Sequence, residues 1–292
     1  MGIEERKRRI RKLVFSSASL SRALAAGDFR SAFKGRGMDF DGLREYGADD
    51  DALRMDWNAT ARLGRPFVKT YRDDRNLTVY LVVDESASMD YGEDGGKAER
   101  AALAASLLAY ACSLNGVRVG ALFYGGNSLE HREPEAGGQA VMALMERIAE
   151  GRPGDGRGSD LPAALGAAAS HLKRRSLVII VSDFEVEGYA LPLAVLARRH
   201  DVAAVLVRER KGRPAVLPPF CLRAADAESG RPALVFGRSK SYREAFERSY
   251  KARRLEWLAA LEAARVPSLE LGPESDIARE LVAFFSRPRK RT

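Results

Sequence analysis

Three separated segments of the chain carry oxygen donors that could together bind a divalent metal ion. The first, from Asp84 to Ser88, offers a carboxylate and two hydroxyls at alternate positions. The second is a Gly-rich loop, 154–158, followed by a serine, and the third is an aspartate after an apolar run. Mg²⁺ prefers about six oxygen ligands and Mn²⁺ accepts similar donors. The candidate ligands are Asp84, Ser86, Ser88, Ser159 and Asp183. Two carboxylates and three hydroxyls would leave a position open for an external carboxylate.

The hydrophobic pattern predicts that these segments lie at strand ends. Leu77–Val83 and Leu177–Ser182 are continuous apolar runs rich in β-branched residues, which is typical of strands buried on both faces of a parallel sheet. Ligands of open α/β sheets bind beyond the carboxyl ends of the strands. Asp84 and Asp183 are therefore expected at one edge of the same sheet.

Alternating strand and helix patterns predict an α/β fold with a doubly wound, mostly parallel sheet. Further strands are expected at 117–124, 202–207 and 268–271, and helices at 97–114, 139–150, 161–172, 190–199, 242–264 and 275–285. A Pro-rich interruption at about 209–240 predicts a β-hairpin insertion. We expect this domain to span 73–287. Before it, 1–72 should form an N-terminal helix over 3–26, an irregular but ordered segment over 28–65 and a short edge strand over 66–72.

Composition narrows the class of protein. The 292 residues are 46% hydrophobic, which is ordinary for a globular domain. Cys112 and Cys221 form no Cys-x-x-Cys pair, which argues against a disulfide framework or structural zinc and predicts buried thiols in a reducing compartment. The apolar run Ala101–Cys112 is shorter than the roughly 20 residues that cross a bilayer. We therefore expect a soluble, cytoplasmic protein without a transmembrane segment.

The net charge of +8 is concentrated at Arg6–Lys12 and Arg287–Arg291. One interpretation is an acidic partner, a nucleic acid or an anionic membrane; the other is a pair of solubilising tails. No aromatic residues interleave with these charges as stacking platforms would require. We therefore favour solubilising tails and consider nucleic acid an unlikely partner.

The candidate ligands resemble the metal-ion-dependent adhesion site of von Willebrand factor A domains. The resemblance rests on Asp-x-Ser-x-Ser after a buried strand, a Gly-rich loop with a hydroxyl, and a later strand-end Asp. It implies that a Glu or Asp of a partner completes the metal shell. This chain departs from the family in having Ser159 where Thr is usual, and Asp160 beside it could also contribute.

Upstream segments resemble a bacterial family named domain of unknown function fifty-eight. The matching pieces are Gly35–Phe40, Leu43–Tyr46, Asp49–Asp50, Asp56–Arg62 and Asp226–Gly230. The family carries a von Willebrand factor A-like domain and is typically encoded beside MoxR-type AAA+ ATPases. The resemblance implies an adaptor or co-factor of such an ATPase in protein remodelling or maturation. We interpret Trp57 itself as a structural residue that covers a sheet.

An enzymatic function is the main alternative, because a strand-end Asp with Mg²⁺ also suits phosphoryl transfer. Such phosphatases usually have a second acid two residues after the nucleophile, where this chain has Ser86. The histidines His131, His171 and His200 are scattered, are expected at the surface and form no Ser-His-Asp arrangement. Lys97 follows two glycines but lacks the spacing of a phosphate-binding loop. We therefore predict a metal-dependent protein-binding module that is not an enzyme.

Overall fold

The computed structural model describes residues 3–16, 40–47, 56–71, 77–90, 96–126, 128–151, 159–209, 217, 220–225 and 232–286. Several sequence-based predictions fall outside these ranges: the helix beyond residue 16, the Gly-rich loop 154–158 and the basic tail 287–291. The family segments 35–39, 49–50 and 226–230 lie outside them too.

The described helices and strands follow the predicted alternation. The helices are α1 (Ile3–Ser16), α2 (Trp57–Leu63), α3 (Gly96–Leu114), α4 (Gly138–Glu150), α5 (Leu161–His171), α6 (Ala190–Arg199), α7 (Lys240–Ala263) and α8 (Ile277–Phe285). The strands are β1 (Phe40–Glu45), β2 (Phe67–Tyr71), β3 (Thr78–Asp84), β4 (Arg118–Gly125), β5 (Ser128–Glu135), β6 (Leu177–Ser182), β7 (Asp201–Val207), β8 (Cys221–Ala225), β9 (Pro232–Phe236) and β10 (Ser268–Leu271). A 3₁₀ helix, Ala87–Asp90, follows β3.

The central sheet has the strand order β10–β7–β6–β3–β4–β5. All neighbouring pairs are parallel except β4 and β5, which pair antiparallel. The chain starts in the middle at β3, winds to one edge through β4 and β5, and then winds to the other edge from β6. The order reverses between β3 and β6, and ligand crevices form at such switch points. The predicted doubly wound, mostly parallel α/β fold is confirmed.

Helices cover both faces of the sheet, and alternate residues of each strand face opposite layers. In β3, Val79, Leu81 and Val83 belong to the core cluster that includes residues of α1, α3, α4 and α8. Tyr80 and Val82 belong to the cluster with α5, α6 and α7. Both faces of the central strands are therefore removed from water, which explains their continuous apolar runs.

The edge strand β5 was not predicted from the sequence. Its residues, Ser-Leu-Glu-His-Arg-Glu-Pro-Glu, are mostly polar and partly exposed. Charged residues and Pro are typical of edge strands, because they discourage pairing with another chain. Pro134 lies where the register with β4 shifts, between the pairs Glu135–Val119 and Arg132–Ala121. An apolar pattern cannot reveal a strand of this kind.

The basic N-terminal helix packs against the domain instead of forming a free tail. Ile10 and Val14 are buried in the core. Basic side chains around them form ion pairs with acidic residues of α3 and α4: Arg9 with Glu99 at 3.0 Å, Lys7 with Glu150 at 2.8 Å, and Arg11 with Glu146. The prediction of a solubilising tail is wrong for this segment, because charge composition does not show which acidic side chains lie opposite.

The smaller elements confirm some predictions and correct one. Strands β8 and β9 pair antiparallel, which confirms the β-hairpin insertion, and β2 matches the predicted strand near 66–72 and pairs with β1. Asp56 caps α2 by accepting a hydrogen bond from the Ala59 N–H at 3.1 Å. Trp57 is 68% exposed, so the interpretation of this residue as a cover for a sheet is wrong. Among the described residues, no helix is long and apolar enough to span a membrane.

Candidate metal site

Asp84 ends β3 and lies buried at the switch point of the sheet. Its Oδ2 accepts hydrogen bonds from the Tyr124 hydroxyl at 2.8 Å and from the Ser182 hydroxyl at 2.7 Å. Its Oδ1 accepts one from the Ser86 N–H at 2.9 Å. Neighbouring strands β4 and β6 thus supply donors that hold the carboxylate in one orientation.

Burial changes the acidity of this cluster. Burial first, and then the negative charge of Asp183, raise the pKa of Asp84 to about 6. Burial, followed by the charge of Asp84, also raises the pKa of the Tyr124 hydroxyl well above its ordinary value. Tyr124 therefore remains a hydrogen-bond donor to Asp84. A cation placed beside the two carboxylates would relieve their repulsion.

The side chains of Ser86, Ser88 and Asp183 form a continuous chain of contacts. The two serine hydroxyls lie 3.0 Å apart, and the Ser88 hydroxyl donates to Asp183 Oδ2 at 3.0 Å. All three residues are buried. The alternate spacing of the serines allows this because the chain turns into the 3₁₀ helix directly after Ser86. The structure thus brings four of the five predicted ligands together.

Ser159, the fifth predicted ligand, lies just before α5. Its Oγ is buried and has no hydrogen-bond partner among the described residues. Buried hydroxyls without partners are uncommon, so this oxygen is available to a ligand. The neighbouring Asp160 caps α5 by accepting a hydrogen bond from the Ala163 N–H at 2.8 Å. This observation gives Asp160 a structural role that the sequence left open.

A lysine that the sequence analysis did not assign to the site contacts it directly. Lys97 Nζ lies 2.5 Å from Asp183 Oδ2, and both side chains are nearly buried. The first turn of α3 carries Lys97 on the same helical face as the buried Ala101 and Ala105. That spacing, a lysine on an otherwise apolar face, was the signal in the sequence.

Two features hold the loop between Asp84 and Ser88 in place. The guanidinium of Arg147 makes two hydrogen bonds to the Glu85 carboxylate, both 2.9 Å long, and it also contacts Glu130. Gly125, at the end of β4, passes so close that a Cβ there would lie 2.6 Å from the Glu85 carbonyl. Close backbone approach therefore requires glycine at this position.

A strained turn follows the last candidate ligand. Phe184 has a φ of 53°, a conformation that bulky residues rarely adopt. The turn is held by the Asp183 side chain, whose Oδ1 accepts from the Glu185 N–H at 3.1 Å, and by the Ser182 hydroxyl, which accepts from the Phe184 N–H at 3.0 Å. This strain lies at the carboxyl end of β6, between the candidate site and the next loop.

The histidine and cysteine predictions are correct in part. His171 is exposed as predicted, whereas His200 is only 2% exposed. The part-buried His131 stacks on His171, and its Nδ1 lies 2.5 Å from the Tyr80 hydroxyl. Cys112 is buried as predicted, whereas Cys221 is exposed. Isolated polar residues in a sequence carry no periodic signal, so their burial depends on packing.

The residues present fit a hard divalent ion. The donors are carboxylate and hydroxyl oxygens, as Mg²⁺ and Mn²⁺ prefer, and the Ser159 Oγ has no other described partner. Lys97 already places a positive charge against Asp183. In the part of the chain that the structure describes, no three His, Cys, Asp or Glu side chains form a metal-binding group. A metal site here would therefore depend on the serine hydroxyls.

The doubly wound sheet, with Asp-x-Ser-x-Ser after its first strand and an antiparallel edge strand, defines a von Willebrand factor A-like domain. The chain belongs to the family described as protein of unknown function DUF58, whose match spans residues 42–256. The resemblance that the sequence suggested is confirmed.

Individual relatives and solved structures are also similar to this chain. An "Uncharacterized protein" of Mycobacterium tuberculosis is 32% identical over 269 residues, which cover 90% of this chain and 84% of that protein, and Mycobacterium bovis has an equally similar one. Among solved structures, an aerotolerance-related membrane protein from Bacteroides fragilis has a TM-score of 0.46 and 15% identity. The match covers 72% of this chain and 96% of that protein's chain. The manganese-loaded TRAP protein of Plasmodium vivax has a TM-score of 0.33 and 18% identity, with coverages of 46% and 57%.

Proposed function

We propose that this protein is a cytoplasmic, metal-dependent protein-binding module that acts as an adaptor of a MoxR-type AAA+ ATPase. The observation that carries the metal proposal is the cluster of Asp84, Ser86, Ser88 and Asp183, with the unpartnered Ser159 Oγ as a further donor. A von Willebrand factor A-like fold supports protein interaction as the class of function. The ATPase partner rests on the family resemblance.

Mg²⁺ or Mn²⁺ bound at this cluster would supply a charge that an acidic side chain of the partner can coordinate. The serine hydroxyls add no charge, so a bound ion would retain attraction for a further carboxylate. Asp84 would act mainly by orienting the loop and balancing charge, because three protein donors already contact its oxygens. Ser88 would contribute its hydroxyl and would share Asp183 with the ion.

Lys97 places a positive charge in the site, and a bound metal ion must compete with this charge or displace it. Its ammonium group contacts the same Asp183 oxygen that Ser88 donates to. A divalent ion bound between Ser88 and Asp183 would be repelled by this ammonium group, because like charges a few ångströms apart interact strongly in a buried site. We therefore expect metal binding to move Lys97 away from Asp183.

The geometry favours binding over phosphoryl transfer. A nucleophilic Asp needs an accessible carboxylate oxygen, whereas Asp84 is 3% exposed and both of its oxygens accept hydrogen bonds. The basic helix α1 is engaged with acidic residues of α3 and α4, which leaves less charge for nucleic acid. The free Cys112 fits a reducing compartment.

The test is a binding measurement between the purified protein and a MoxR-type AAA+ ATPase from the same organism. Biolayer interferometry in Mg²⁺ and in EDTA would compare wild type with Ser88→Ala and Ser159→Ala. Ser170→Ala is a matched control, because the Ser170 hydroxyl bonds only to the Ala167 carbonyl of its own helix α5 and is exposed. Melting temperatures would show that each variant is folded.

We expect EDTA and both site variants to weaken binding about tenfold or more, since a charge-assisted metal–carboxylate contact is lost. Ser170→Ala should bind as wild type does. Binding that survives EDTA and both site variants would show that the metal does not contribute to the interface. Absence of any binding to the ATPase, with Mg²⁺ binding intact, would reject the partner but leave the metal site standing.

A further inference from the structure

A cavity lies beside the candidate metal site and is separate from it. It has a volume of about 470 Å³ and lies between the loop after β6 and helix α7. Its walls include Phe184, Glu185, Tyr189, Arg208, Arg253 and Trp257. Pockets of about 300–1,000 Å³ are typical of ligand sites. The strained Phe184 turn separates the cavity from Asp183.

Three residues that line this cavity each carry a buried polar atom with no partner among the described residues. The atoms are Trp257 Nε1, Arg208 Nε and the Tyr250 hydroxyl oxygen, and Trp257 and Arg208 are each 5% exposed. Leaving a buried donor without an acceptor costs about 1–3 kcal/mol, so such groups are rare unless a ligand satisfies them. The two nitrogens can only donate and the hydroxyl can donate as well, so an acceptor would satisfy all three.

The surrounding contacts hold these donors in place. Arg208 Nη1 donates to Glu185 Oε1 at 3.2 Å, and the Arg208 N–H donates to the Leu271 carbonyl at 2.8 Å. The Arg208 and Arg254 guanidinium carbons lie 5.4 and 5.6 Å from the centre of the Trp257 ring. The indole of Trp257, a residue of α7, is thus held against the guanidinium groups of Arg208 and Arg254.

Charge balance limits the kind of acceptor. The lining residues include the three arginines Arg208, Arg253 and Arg254 and the three glutamates Glu185, Glu187 and Glu256. A monoanionic carboxylate suits such a balanced lining better than a dianionic phosphate, which the glutamates would repel. Phe184, Val186, Tyr189 and Ala260 offer apolar surface for the carbon atoms that carry the carboxylate. Arg253 is exposed at the surface and can meet an incoming chain first.

We propose that this cavity binds a Glu or Asp side chain of a polypeptide, with Trp257 Nε1 and Arg208 Nε as donors and Arg253 at the entrance. The cavity is a second recognition point, and its donors do not include any candidate metal ligand. Binding here therefore requires no divalent ion. The proposal goes beyond the metal-dependent function and can be tested separately from it.

The indole N–H of Trp257 is a direct reporter of the proposed hydrogen bond. The chain contains two tryptophans, so a ¹⁵N-labelled sample should give two indole signals in a proton–nitrogen NMR spectrum. Trp57→Phe assigns them, because Trp57 is 68% exposed and does not line the cavity. The probe is the capped pentapeptide Ala-Leu-Glu-Leu-Ala, titrated in EDTA, with the Gln peptide of the same sequence as its control.

The Glu peptide should shift the Trp257 signal saturably and leave the Trp57 signal in place. The affinity for the Gln peptide should be at least about fivefold lower than for the Glu peptide, since a charged acceptor is lost. Arg253→Gln should weaken binding of the Glu peptide roughly threefold, as expected for an exposed ion pair. Arg248→Gln, an exposed arginine on the same helix outside the cavity, should have no effect.

A calorimetric titration of Trp257→Phe, which keeps a smaller aromatic ring but removes the N–H donor, provides a second readout. It should bind the Glu peptide about fivefold more weakly than wild type while its melting temperature stays close to that of wild type. The proposal is overturned if the Trp257 signal does not move at millimolar peptide, or if the Glu and Gln peptides shift it with equal affinity. It is also overturned if only inorganic phosphate shifts the signal. Peptide binding in EDTA would stand even if no metal-dependent partner existed.

Discussion

Replacing Lys97 by Met should destabilise the metal-free protein while making the candidate site bind Mg²⁺ more tightly. Lys97 Nζ lies 2.5 Å from Asp183 Oδ2, and the two side chains are 8% and 2% exposed. Removing one partner of a buried ion pair costs about 3–5 kcal/mol, because the other charge remains buried without its partner. At roughly 2–4 °C per kcal/mol for a domain of this size, the melting temperature in EDTA should fall by roughly 6–20 °C.

The gain in metal affinity follows from the same contact. In wild type, Mg²⁺ must displace or tolerate an ammonium group beside Asp183. Two unit charges 4 Å apart interact by about 4 kcal/mol at an effective dielectric constant of 20 and by about 1 kcal/mol in bulk water. Since the cluster is buried, we expect at least about 1.4 kcal/mol, which is a tenfold lower Kd for Mg²⁺ in Lys97→Met.

Calorimetry with Mg²⁺ and thermal melts with and without Mg²⁺ would measure both effects. Mg²⁺ at 1,000 times the Kd of the variant should restore about 4 kcal/mol of the lost stability. The same concentration is about 100 times the wild-type Kd and should add only about 2.7 kcal/mol to wild type. Lys251→Met is the control, because Lys251 is exposed on α7 and, among the described residues, pairs with Glu247 at 3.4 Å. An unchanged or higher Kd in Lys97→Met would refute competition between ammonium and metal, and an unchanged melting temperature in EDTA would refute the buried ion pair.

Three further predictions concern the site and its support. Ser159→Ala should leave the melting temperature in EDTA unchanged or raise it, because the buried Oγ has no described partner. The same variant should bind Mg²⁺ more weakly in calorimetry, and equal metal affinity would remove Ser159 from the ligand set. Gly125→Ala should cost about 1–3 kcal/mol in urea unfolding, since its Cβ would lie 2.6 Å from the Glu85 carbonyl, and wild-type stability would contradict that close approach. Burial lowers the pKa of His200 below its ordinary 6.5, with Arg199 and Arg175 adding to the shift, so the unfolded chain takes up the proton first. The contribution of His200 to the free energy of unfolding should therefore fall as the pH drops through and below 6.5, and His200→Gln should lack this contribution in the same urea series.

Sequence periodicity predicted the central sheet because its strands are buried on both faces. After the part-buried Thr78 at the start of β3, the residues of β3 and β6 are apolar up to their last positions, and all of them are buried, which confirms the pattern. The same reasoning missed β5, whose polar residues follow from its position at the edge of the sheet. A local hydrophobic pattern indicates which segments are buried, but it does not identify strands that remain partly exposed to water.

The sequence by itself determined the fold and the types of candidate ligand, since hydrophobic periodicity and a short motif are properties of neighbouring residues. Only the tertiary structure decided which groups surround them. Lys97 reaches Asp183 across 86 positions, and Ser182 reaches Asp84 across 98. The unpartnered donors Trp257 Nε1 and Arg208 Nε likewise share a cavity only because α7 packs beside the end of β7. Such pairings depend on the packing of whole helices against the sheet, and no spacing in the sequence encodes them.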